Sequence, residues 1–178
     1  MNIYEDYSRY ISDNHKFIEL IKNNVPSVYV LIEDVIVVLD FIVKQHEQYN
    51  KVEEDLADFF EPGYRYIISL ITEMTIMYQE YFKSDIQLFS KYSSLIVYFF
   101  YIDDLKGHLY SFDKLTDDNK KIIDKVQEEI ETVLVNNLEP DQNKLIEYEV
   151  IIDQLDTDKS YHPVYSIFTM VREELHLY

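Results

Sequence analysis

The 178-residue sequence predicts an all-α protein, a single compact bundle of about six to seven helices over residues 1–178. Three observations predict it. Apolar residues return every three to four positions in almost every segment. Glycine occurs only at Gly63 and Gly107, and the four prolines fall between the periodic segments. The one stretch that would also suit a buried strand, residues 95–102, has no pairing partner elsewhere in the chain.

The elements follow in order. Residues 2–22 place Ile3, Tyr7, Ile11, Ile18 and Ile21 near one face, and Pro26 ends that helix because proline disfavours helix in the residue before it. Ser27 then offers an N-cap to a helix over 28–48, whose stripe is Val28, Leu31, Ile32, Val35, Leu39, Ile42 and Val43. A short continuation carries Val52, Leu56 and Phe59. Pro62-Gly63 reads as the clearest break, and as a weak boundary within the single domain. A helix over 64–82 turns Tyr64, Ile67, Ile71, Met74, Tyr78 and Tyr81 inward. Ser84 and Gln87 form a capping-box pair that opens a central buried helix to about 105. Residues 106–115 are expected as a loop around Gly107. Thr116 caps a helix to 137, with Asp117 and Asp118 at its positive end. Pro140 suits a first helical position for a helix to 155, 156–162 reads as a loop, and Pro163 opens a last helix.

Composition narrows the function. A chain of 21.5 kDa with 47% hydrophobic residues is globular, and at this length it buries roughly 70% of its unfolded surface without a disulfide or metal staple. Asp and Glu number 34 against 16 Lys and Arg, a net charge of −18 and a pI near 4.5. That charge argues against nucleic acid or an anionic membrane as a direct partner, since phosphate binding needs a basic footprint. The two glycines stand 44 positions apart, so a P-loop, a Rossmann fingerprint and a nucleophile elbow are all excluded. Cysteine is absent, which removes thiolate chemistry, Cys-type zinc sites and iron–sulfur clusters. The first residues carry early acids and no basic segment before an apolar run, unlike a signal peptide. A cytoplasmic location is expected.

Metal and catalytic motifs are incomplete. Glu173 and His176 supply one Glu-x-x-His spacing where a di-iron bundle needs two. His46-Glu47 begins a zincin-like pattern, but Asn50 stands at the second histidine position. Asp156, Asp158 and Ser160 resemble half a calcium loop, but its glycine position holds Tyr161 and its bidentate glutamate position holds Ile167. Convergence of His46, His108 and His162 is left open by their spacing. No cofactor, metal or catalytic residue is expected. The enzyme alternative is an all-α enzyme or metal- or ligand-binding protein using carboxylates and histidines inside the bundle, such as Asp103, Asp104 and His108.

The most informative pattern is the placement of acids. Glu54, Asp58 and Glu61 are spaced i, i+4, i+7, as are Asp124, Glu128 and Glu131, and Glu149, Asp153 and Asp156; Asp158 and Tyr161 follow the third set. Each set lines one side of a helix, although like charges at i, i+4 cost a few tenths of a kcal/mol each. Charge is uneven as well: residues 1–60 hold 12 acids and 5 bases, 61–120 hold 9 and 6, and 121–178 hold 13 and 5. A surface tuned only for solubility would intersperse lysines; Lys51, Lys121 and Lys125 offer some local pairing. Tyrosine occurs 17 times, and Tyr4, Tyr10, Tyr49, Tyr66, Tyr110 and Tyr161 fall off the core stripes, which suits an interface. These features point to a cytoplasmic binding protein that neutralises a basic protein partner, most concretely an immunity protein or antitoxin against a nuclease toxin, with an inhibitor of a nucleic-acid-guided nuclease close behind. A helical regulatory module that self-associates through tyrosines is a further alternative.

Overall fold

The computed structural model describes residues 2–111 and 113–155, and they form eight α-helices, one π-helical turn and no strand. The all-α expectation holds, with a helix count slightly above six to seven. The described residues fall into two compact units, 2–76 and 77–155. The last helix expected from Pro163, and the loop before it, lie outside the described residues.

In the first unit, α1 (Ile3–Asp13) starts at Asn2, whose side chain accepts a hydrogen bond from the Glu5 N–H at 2.9 Å. Glu5 and Asp6 sit at its positive end. The single helix expected over 2–22 is interrupted at Asn14. Its side-chain amide donates to the Tyr10 carbonyl at 2.8 Å, competing with the backbone ladder, and α2 (His15–Asn24) follows. Helix α3 (Pro26–Tyr49) begins on Pro26 itself, where the missing N–H leaves nothing unsatisfied. Ser27 is therefore inside the helix and does not cap it. Asn50, at φ 50°, ends α3 in the left-handed region and donates its N–H to the His46 carbonyl.

Helix α4 (Glu54–Ile76) runs straight through Pro62 and Gly63, so the expected break is absent. Proline removes the N–H that the Asp58 carbonyl would accept, but both residues are exposed and water can take that carbonyl. On the other side Phe59, Phe60, Gly63 and Ile67 are buried and hold the helix down. Tertiary packing overrides the local signal.

The chain direction in this unit follows from contacts. Tyr4 meets His46, and Tyr7 donates to Asp40 at 2.8 Å, so α1 and α3 are antiparallel. Tyr4 and Tyr7 pack edge-on against Phe60, and Tyr10 packs against Tyr64, so α1 and α4 are parallel. The core is therefore aromatic beneath α1 and aliphatic beneath α3.

The second unit opens on a π-helical turn (Met77–Tyr81). Lys83 and Ser84 then adopt φ of 52° and 59°, and the Ser84 carbonyl accepts the Tyr78 hydroxyl at 2.8 Å. A left-handed Ser84 cannot be the cap, and the role passes to Asp85, which accepts from the N–H groups of Gln87 and Leu88. Helix α5 (Ile86–Lys91) gives way at Tyr92 to α6 (Ser93–Ser111). Helix α6 is the central element, packed against α5, against α7 (Asp117–Asn136) and against α8 (Gln142–Leu155). Thr116 caps α7 as expected, accepting from the Asn119 N–H at 3.1 Å. Helix α8 starts two residues after Pro140, where Asp141 accepts from the Asn143 N–H at 2.9 Å.

Gly107 lies inside α6 and not in a loop, because Leu105 and Leu109 on either side of it are buried and keep the helix going. A Cβ added there meets nothing within 4 Å, and its φ is not positive. Gly107→Ala is therefore expected to stabilise the protein by about 0.5–1 kcal/mol, mainly by restricting the unfolded chain. A rise in the urea midpoint at unchanged slope checks it.

Candidate acidic interface

Helical geometry brings the acids out. On α4, Glu54, Asp58 and Glu61 are exposed along the face opposite Leu56, Phe60 and Ile67. On α7, Asp124, Glu128 and Glu131 are exposed opposite Ile123, Val126, Ile130 and Leu134. On α8, Glu149 and Asp153 are exposed opposite Tyr148, Ile152 and Leu155. Asp156, Asp158 and Tyr161 lie outside the described residues.

Pairing separates these acids. Glu61 forms an i, i+4 ion pair with Arg65 within α4, and Asp124 of α7 pairs with Lys106 of α6 at 2.9 Å. Both are solvent-exposed and contribute little. The carboxylates of Glu54, Asp58, Glu128, Glu131, Glu149 and Asp153 pair with no cation among the described residues, and Lys51, Lys121 and Lys125 form no ion pair there either.

Helix α8 sets two exposed aliphatic side chains beside its acids, where α7 sets only Val135 next to Glu131. Ile146 is 62% exposed and Val150 50%, one turn apart on the outward face, with Glu149 and Asp153 directly beside them. Tyr98 of α6 lies close enough to feel both acids: burial first, then Glu149 and Asp153, raise its hydroxyl pKa. On the opposite flank Lys144 is held between Glu147 at 3.2 Å and Glu129 at 3.9 Å, and the Tyr148 hydroxyl donates to Glu129 at 3.0 Å. The result is an aliphatic ridge with a carboxylate row beside it, on a helix fixed from beneath. The sequence contained the signal: Ile146 and Val150 stand off the core stripe of α8 at i, i+4. Attention to the acids alone missed it.

Of the off-stripe tyrosines, Tyr49 and Tyr110 are 63% and 76% exposed. Tyr4, Tyr10 and Tyr66 are half-buried and serve packing, and Tyr161 lies outside the described residues. The enzyme alternative finds its acids apart in role. The Asp103 carboxylate accepts from Gln127 at 3.3 Å, while Asp104 beside it is half-buried. The side chains of His108 and His162 lie outside the described residues, and His46 stacks on Tyr4 in the first unit. Among the described residues no group of three or more His, Asp or Glu is placed to hold a metal ion, and no helix is long and apolar enough to cross a membrane.

Two carboxyls have raised pKa values. Burial raises Asp40 against the opposing pull of the Tyr7 hydroxyl and Lys44, and burial raises Asp103 against the Gln127 hydrogen bond. The folded state thus holds these protons more tightly than the unfolded chain. Their stabilisation is complete below the ordinary carboxylate pKa and is lost as pH rises through the raised folded values. Both residues remain partly open to solvent, which screens the shift, so these two groups are expected to add only modestly to stability as pH falls from 7 toward the ordinary carboxylate range. Asp40→Asn, which keeps an oxygen acceptor for Tyr7, should flatten part of that slope in urea titrations at stepped pH.

No family model, no curated protein and no solved structure matches this chain.

Proposed function

We propose that this chain is a cytoplasmic binding protein that neutralises a basic protein partner, most concretely an immunity protein or antitoxin against a nuclease toxin. The observation that carries the reading is the outward face of α8: two carboxylates without cations beside two exposed aliphatic side chains. Unpaired acids on α4 and α7 extend the negative surface within each unit. Residues 1–76 hold 14 acids against 6 bases, and residues 77–155 hold 16 against 8.

The physics is specific. A nuclease binds phosphate in a positive groove, and a negative surface is steered into such a groove at a rate that falls with salt. Carboxylates one helical turn apart, about 6 Å along the axis, can occupy positions that phosphates would take. Charge sets the encounter rate, while burial of Ile146 and Val150 slows departure. Nothing in this mode of action requires a reaction on the binding protein itself.

The test is co-purification with the product of a neighbouring gene, followed by assay of that product's nuclease activity. Stoichiometric binding with loss of nuclease activity supports the reading. Partners that are only neutral or acidic overturn it.

A further inference from the structure

A second surface feature, on the first unit, is independent of the acidic stripes. An open groove of about 540 Å³ runs between the antiparallel α1 and α3. Glu5 and Ser8 form one wall, one turn apart on α1; His46 and Glu47 form the other, on the last turn of α3. Val43, nearly buried, lies at the base. The Tyr4 ring stacks on His46 with centroids 4.4 Å apart at 28°, and Phe60 holds Tyr4 edge-on at 4.8 Å, so the flat lining is fixed in place.

We propose that this groove is an anchor site for one arginine side chain of a protein partner. Glu5 and Glu47 carry their charges on facing walls and form no ion pair among the described residues. The negative C-terminal end of α3 and the positive N-terminal end of the antiparallel α1 meet here and offset each other, so the attraction for a cation rests on the two carboxylates. A guanidinium suits it better than an ammonium. Its planar face can lie on the fixed aromatic lining, its fork of donors can reach carboxylates on both sides, and its stem can cover Val43. The preference for a guanidinium follows from the groove alone; its source, a basic protein, rests on the function proposed above.

The probe is a capped Gly-Arg-Gly peptide, with Gly-citrulline-Gly as the neutral isostere and Gly-Lys-Gly as the point charge. Backbone amide shifts are followed by NMR in the intact chain. The expected result is saturable shifts at Ser8, His46 and Glu47, in the millimolar range for so small a ligand. Arginine should bind more tightly than lysine, and citrulline should not bind. The exposed double substitution Glu5→Gln/Glu47→Gln should weaken the arginine peptide about tenfold without changing the circular dichroism. Shifts that spread equally over the acids of α4, α7 and α8, or that survive the double substitution, overturn the proposal. Once a basic partner is in hand, undiminished binding by the double variant overturns the anchor and leaves the proposed function standing. Arginine-peptide binding by a chain whose partners prove acidic does the reverse.

Discussion

Phe82→Ala is expected to destabilise the second unit by about 3–5 kcal/mol, the range for removing a large aromatic from a packed interior. Phe82 is fully buried, stacks on Tyr92 with centroids 5.2 Å apart and meets Phe89 edge-on at 5.5 Å. Tyr92 in turn is fixed by its hydroxyl, which donates to the Leu138 carbonyl at 2.7 Å, and Phe89 packs under Tyr78. These rings join the π-helical turn, α5, the start of α6 and the end of α7. The cavity left by alanine cannot collapse without breaking the Tyr92 hydrogen bond, so relaxation recovers little. Urea unfolding followed by near-ultraviolet circular dichroism checks the size, and Phe82→Leu should lose well under half as much. A loss below about 1 kcal/mol would mean that the cluster is not a packed core.

The all-α architecture and most of the core were legible because periodicity is a global signal, repeated over each helix. Tyr7, Ile32, Ile67, Ile96, Ile130 and Ile152 could be assigned inward from spacing alone, and all are buried. Element boundaries were less legible, because they depend on local competition. Pro62 reads as a break until it is known that it and Asp58, whose carbonyl it deprives of a donor, are both exposed. Ser84 reads as a cap until it is seen to follow Lys83 into the left-handed region, which leaves the role to Asp85. Asn14 reads as one more helical position until its side chain takes the Tyr10 carbonyl. The candidate surface was legible in its acids, whose spacing is simple. It was not legible in Ile146 and Val150, because an aliphatic residue defaults to the interior in any reading of a sequence. The α1–α3 groove needed tertiary pairing: nothing in spacing brings Tyr4 to His46 across some forty residues.

Reversing the α8 acids should separate a specific interface from mere net charge. Glu149→Lys/Asp153→Lys changes net charge by four, and Glu54→Lys/Asp58→Lys on α4 changes it by the same amount. All four residues are exposed and unpaired among the described residues, so neither pair should unfold the chain. If the α8 face is the contact, the α8 double variant is expected to lose affinity for the basic partner by about a hundredfold or more, since each close charge pair across an interface contributes roughly 1.5 kcal/mol or above. The α4 variant should lose mainly association rate, and that loss should fade with added salt as steering is screened. Ile146→Ala/Val150→Ala should leave the association rate unchanged and speed dissociation, because it removes buried apolar area and no charge. The kinetic split is the decisive reading. Identical losses from the two lysine pairs, both abolished at high salt, would mean that the partner senses only total charge and that the aliphatic ridge of α8 is incidental.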